Sequence, residues 1–122
     1  MNETERKRAL VKARQLEKNG LADAAINAYL AANAVDDAAR LLVAARRFVE
    51  AGNLLVKHLG LPAGSGLSER ELQTLNRVGK KRALRAAICF ARGGQRDLAV
   101  KMFVALGEVG RAVEILQPAG GH

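Results

Sequence analysis

Tryptophan is absent from this 122-residue chain, aromatics make up only 3% of it, and it holds one cysteine and two prolines. Without large aromatics the core has to be built from Ala, Leu and Val, whose small side chains let helices approach closely. The same scarcity leaves few rings on which unpaired bases could stack. The single Cys89 can form no internal disulfide, which fits a reducing compartment. Apolar runs such as 41–45 fall far short of the roughly 20 residues of a membrane span, and residues 1–18 are charged, without the apolar stretch of a signal peptide. These features predict a cytoplasmic protein with no membrane span.

Reactive groups are equally scarce. The two histidines are His58, beside Lys57, and the terminal His122, and around neither can an acid, a base and a nucleophile be placed. Cys89 lies between Ile88 and Phe90 and reads as a small buried apolar residue. No Cys or His pair has metal-ligand spacing, and the acids Asp36 and Asp37 read as residues of a helix start. The glycine-rich stretch 60–67, GLPAGSGL, lacks the Gly-Lys-Ser/Thr of a phosphate loop and reads as a linker. A non-enzymatic protein without metal or cofactor is expected.

What the chain does have is repetition. Residues 6–42 align with 80–116 at a shift of 74 without a gap, and twelve of the 37 pairs are identical, among them Ala13 with Ala87, Gly20 with Gly94, Ala25 with Ala99, Val35 with Val109 and Leu42 with Leu116. A finer period of 13 residues runs inside, placing Ala25, Ala38 and Ala51 in register, and likewise Tyr29, Leu42 and Leu55; it returns from Ala99 to Ala112 and from Phe103 to Leu116. Apolar residues within each unit fall at helical spacing, so each unit reads as one short helix and a tight turn. Asp23, Asp36, Asp37, Glu50 and Asp97 stand near helix starts, where acids complement the dipole. Gly20 and Gly94 read as C-terminal caps, and Gly52 as a glycine tolerated inside a helix.

The pattern predicts an all-α fold of about seven helices, near 3–18, 22–32, 35–45, 48–58, 68–92, 95–106 and 109–117, with Ser68 and Glu71 forming a capping box at the fifth. One domain, 1–122, is expected, with repeat halves 1–59 and 68–122 joined by the linker 60–67. Repeats of this size belong to stacked supersecondary units. The bias to Ala, Arg and Gly suggests a bacterial source.

The stretch 17–32, EKNGLADAAINAYLAA, resembles the turn and second helix of a tetratricopeptide repeat, with Gly20 at the turn, Ala25 small at the crossing, Tyr29 large and aromatic, and Ala32 small. Residues 92–106 are similar through Gly94, Ala99 and Phe103, and the run of 13-residue units also looks like the irregular α-solenoids of vesicle-coat and intraflagellar-transport subunits. The resemblance implies a right-handed helical-repeat solenoid acting as an adaptor or scaffold for a peptide or another helical protein.

Charge supplies the remaining signal. Twenty Lys and Arg against twelve Asp and Glu give a net charge of +8, which favours acidic partners. Lys7, Arg8, Arg14 and Lys18 on the first helix, and Arg77, Lys81, Arg82 and Arg85 on its counterpart, occupy the side opposite the apolar residues and are the candidate contacts for a partner protein or acidic peptide. Nucleic acid is the rival use of the same charge, although Tyr29, Phe48, Phe90 and Phe103 are all expected in the core. The last helix is apolar at Val109, Val113 and Leu116, and an open surface there would make the chain dimerise or dock.

Overall fold

Five helix ends share one local device: a residue in the left-handed conformation, one position beyond the last helical turn, reverses the chain. The computed structural model describes residues 1–117, and these form eight α-helices and no strand: α1 (Glu3–Lys18), α2 (Ala22–Ala31), α3 (Val35–Ala44), α4 (Phe48–Lys57), α5 (Glu69–Gln73), α6 (Arg77–Arg92), α7 (Arg96–Ala105) and α8 (Val109–Leu116). After α1, Gly20 stands at φ 77°, its amide donates to the Glu17 carbonyl, and the Leu21 amide donates to the Leu16 carbonyl. This is the Schellman pattern, which satisfies carbonyls that the helix leaves unpaired.

The same pair of bonds recurs with Asn33 (φ 58°), Arg46 (φ 60°), Gly94 (φ 89°) and Gly107 (φ 80°) at the left-handed position. Leu21, which closes the first turn, is also the N-cap of α2, so ten helical residues and three turn residues make up the 13-residue period. The period read in the sequence therefore has a backbone cause.

The chain divides into two units, Met1–Arg47 with α1 to α3, and Phe48–His122 with α4 to α8. The boundary falls between Arg47 and Phe48, and the connection 60–67 lies inside the second unit. In the first unit α2 packs on both α1 and α3. Arg6 at the start of α1 donates from Nε to the Ala32 carbonyl just past α2, at 3.1 Å, so the two helices run antiparallel.

In the second unit α6 packs on α4 and α7, and α7 on α8. Two side-chain contacts show α4 and α6 antiparallel: Arg92 stacks its guanidinium 4.4 Å from the Phe48 ring centre, and Arg82 Nη1 donates to the His58 carbonyl at 2.9 Å. Between them Gly52 approaches the Phe90 ring so closely that a Cβ would lie 2.8 Å from its edge. That contact explains a glycine inside a helix, where it would otherwise be only a cost.

At a shift of 74, α1 maps onto α6 and α2 onto α7 with identical ends. The correspondence extends to the caps: Asn2 accepts from the Glu5 amide and Asn76 from the Gly79 amide, both at 2.8 Å. The Asn76 cap corrects one sequence expectation. A single helix over 68–92 is expected from the sequence, but the chain breaks into α5 and α6 because Thr74 and Leu75 turn back on Glu71 and Leu72 and Asn76 restarts the helix. The Ser68 capping box stands, with the Glu71 amide donating to Ser68 Oγ and the Ser68 amide to Glu71 Oε1, each at 3.2 Å. Buried positions follow the period: Ala25, Ala38, Ala51, Ala99 and Ala112 are all buried. Phe48 departs from its expected core position and is half-buried under Arg92.

Gly52→Ala should lower unfolding stability by about 1–3 kcal/mol through overpacking against Phe90, and Phe90→Leu in the same chain should return part of that loss. Urea unfolding of the two single variants and the double variant measures the coupling; strictly additive effects would contradict the close approach of α4 and α6.

Candidate interaction surfaces

Polar contacts inside the first unit centre on Glu17. Tyr29 donates from its hydroxyl to Glu17 Oε1 at 2.8 Å, and Arg40 makes a two-pronged pair with the same carboxylate at 2.8 and 2.9 Å. The hydrogen bonds from Arg40 and then Tyr29 hold the Glu17 carboxyl at about 2, well below its ordinary value, against a smaller opposing effect of burial. Burial, together with the bond to Glu17, raises the Tyr29 phenol. Arg47 pairs with Asp23 at 2.8 Å. The second unit has no counterpart to this network, since the residues 74 positions on are Ala91 for Glu17, Phe103 for Tyr29 and Glu114 for Arg40. The network ties α1, α2 and α3 together.

The sequence-derived contacts Lys7, Arg8, Arg14 and Lys18 are all exposed on α1. On α6, Arg77, Lys81 and Arg85 are exposed and follow one another at four-residue intervals, as one helix face requires. Arg82 is half-buried, and its guanidinium caps the carboxyl end of α4 through His58. Its charge thus serves the fold of the second unit, where a cation suits the helix dipole.

The structure adds a residue that the sequence reading passed over. Arg77, Lys80 and Lys81 line one shallow groove with Leu84, Leu106 and Glu108. Lys80 was legible in principle, because positions 77, 80, 81 and 84 are neighbours on a helix surface. In the first unit the matching cation is engaged: Arg6, the counterpart of Lys80, donates to the carbonyl of Ala32, the counterpart of Leu106.

The third surface is a face of α8. Val109, Val113 and Leu116 are 56%, 48% and 65% exposed. Their counterparts on α3, Val35, Ala39 and Leu42, are 5%, 4% and 5% exposed. Two of these three pairs are the same residue type, so the difference comes from what surrounds them. Ala112 on the same helix is buried, and Arg96 at the start of α7 donates to the Ile115 carbonyl, so α8 is seated on α7 by its other side.

Groups with intrinsic reactivity are otherwise engaged. Cys89 is buried, and burial raises its thiol, which leaves little of the reactive thiolate. His58 follows the end of α4 with Nδ1 3.1 Å from the Leu54 carbonyl, as a helix-end residue. His122 lies outside the described residues. Among the described residues no three His, Cys, Asp or Glu side chains gather as a metal site would require, and no helix is long and apolar enough to cross a membrane. The chain matches no protein-family model, no curated protein and no solved structure.

Because Glu17 titrates lower in the folded chain than the ordinary 4.5, its contribution to stability is complete above the unfolded value and disappears as pH falls from there through about 2. Glu17→Gln should cost about 1 kcal/mol at pH 7, and the gap between variant and wild type should close between pH 5 and pH 2. Parallel stability curves across that range would show that the carboxylate is not held by Arg40 and Tyr29.

Proposed function

We propose that this chain is a non-enzymatic helical-repeat module of the α-solenoid type, resembling tetratricopeptide repeats, which acts as a cytoplasmic adaptor by docking a partner protein on the open face of α8. The observation that carries the reading is the contrast between α3 and α8. The same positions that one copy of the repeat buries are left in solvent by the other. In a stack of repeats the apolar face of a helix is covered by its neighbour, and none of the described residues covers this one. Val109, Val113 and Leu116 recur at intervals of four and three residues, the spacing with which one helix presents an apolar stripe to another. Gly110 beside them has open space where a side chain would stand, which lets a partner backbone come close.

The rival reading, nucleic-acid binding, draws on the exposed cations but finds no fully exposed ring on which a base could stack: Tyr29, Phe90 and Phe103 are buried, and Phe48 is half-buried under Arg92.

Changing both Val113 and Leu116 to Asp should leave the helical circular dichroism intact, since both side chains are exposed, and should abolish capture of the partner in crosslinking from the native cell. Fully burying a Val or Leu side chain is worth about 1.5–3 kcal/mol, so a purified partner should bind the variant at least tenfold more weakly. If the occupant is a second copy, sedimentation will show a wild-type dimer and a monomeric variant. A folded variant that retains every interaction of the wild type sinks the proposal, and submicromolar binding of DNA or RNA at physiological salt would favour the rival.

A further inference from the structure

The groove between the first turns of α6 and the turn that joins α7 to α8 is lined by three cations and a single acid. Arg77, Lys80 and Lys81 line it, and none of them has a hydrogen-bond or ion-pair partner among the described residues. The acid, Glu108, lies 3.9 Å from Nε of Arg111. Leu84 and Leu106 supply the apolar part of the lining.

These cations stand where the helix itself opposes them. Helix N-termini carry partial positive charge and favour acids, and α1 obeys with Glu3 and Glu5 in its first turn. At the matching positions α6 has Arg77 and Gly79, and its first turn holds no acid at all. The two helices share ends and Asn caps, so backbone geometry does not demand the reversal. In the first unit the matching cation is engaged, since Arg6 donates to the Ala32 carbonyl. The second unit has released that cation and reversed the charge of the helix start together.

We infer that this groove binds an acidic peptide segment of a partner protein, its carboxylates paired with Arg77, Lys80 and Lys81 and an apolar side chain resting on Leu84 and Leu106. This names the chemistry of a partner and rests on the reading of the chain as an adaptor, but it uses a surface other than the α8 face. Arginine and lysine pair with carboxylates by charge-assisted hydrogen bonds. The leucine pair distinguishes a protein segment from a phosphate backbone, which has no apolar side chain to place there, and the groove lines up no ring for a base.

The probe is a fluorescein-labelled octapeptide of six glutamates with leucine at its third and sixth positions, titrated by anisotropy at low and physiological salt. A peptide with glutamine for every glutamate and a single-stranded oligonucleotide of equal charge serve as comparators. The acidic peptide should bind best and weaken as salt rises. Arg77→Glu should weaken it about tenfold or more, the effect of about 1.4 kcal/mol, and should at the same time raise Tm by about 2 °C, because an acid replaces a cation at the positive end of α6. Lys80→Glu with Lys81→Glu should lose binding with helical circular dichroism unchanged. The Val113→Asp, Leu116→Asp chain should bind the peptide as wild type does, so that failure at α8 and failure here are read separately. Equal affinity of all variants for the acidic peptide, or tighter binding of the oligonucleotide or of the glutamine peptide, overturns the inference.

Discussion

One left-handed residue after each of α1, α2, α3, α6 and α7 is the constraint on which the repeat depends. Each Schellman turn needs a positive φ at its second residue, and L side chains resist that conformation by roughly 1–2 kcal/mol. Glycine meets the need at Gly20, Gly94 and Gly107, while Asn33 and Arg46 adopt it with side chains. Because the turn takes three residues and α2, α3 and α7 take ten each, the small residue at each crossing returns after thirteen positions. Ala25, Ala38, Ala99 and Ala112 then fall on packed faces. Packing follows from the turn, since a helix one residue longer would rotate its apolar stripe by about 100° out of contact.

Within that shared frame the two copies have taken different roles. The first ties its helices with a polar network, Tyr29 and Arg40 on Glu17 and Arg47 on Asp23, and engages Arg6 at the start of α1. The second replaces the buried hydroxyl and its acceptor with Phe103 and Ala91, a neutral exchange in principle because both partners of the hydrogen bond leave together. It spends its polar groups elsewhere: Arg82 on the end of α4, Lys101 on the Gly66 carbonyl at 2.8 Å, Arg96 on the end of α8. Among the described residues the groove cations have no partner and the apolar face of α8 is exposed, and both proposed contacts belong to this copy.

Several particulars show what a linear reading can and cannot reach. The helix starts at Ser68 and the caps at Gly20 and Gly94 were legible because a cap is made by residues within three or four positions of each other. The break at Thr74 and Leu75 was not, since nothing in that pair forbids helix; it became visible through Asn76, the counterpart of Asn2. Arg82 read as one more exposed cation, and its engagement depends on His58, 24 residues away. Lys80 flanks Arg77 and Lys81 on the helix surface, but helical spacing does not show that Leu106 comes to the same place.

The sequence by itself determined the helical class, the thirteen-residue period and the pairing of residues 6–42 with 80–116, because helix propensity, capping and left-handed turns are settled by near neighbours along the chain. Only the tertiary structure decided which equivalent side chains meet solvent. Leu42 and Leu116 are the same residue at the same place in the repeat, yet one is buried and the other exposed. Burial is a property of the surroundings, and identical residues in identical turns cannot report what packs against them.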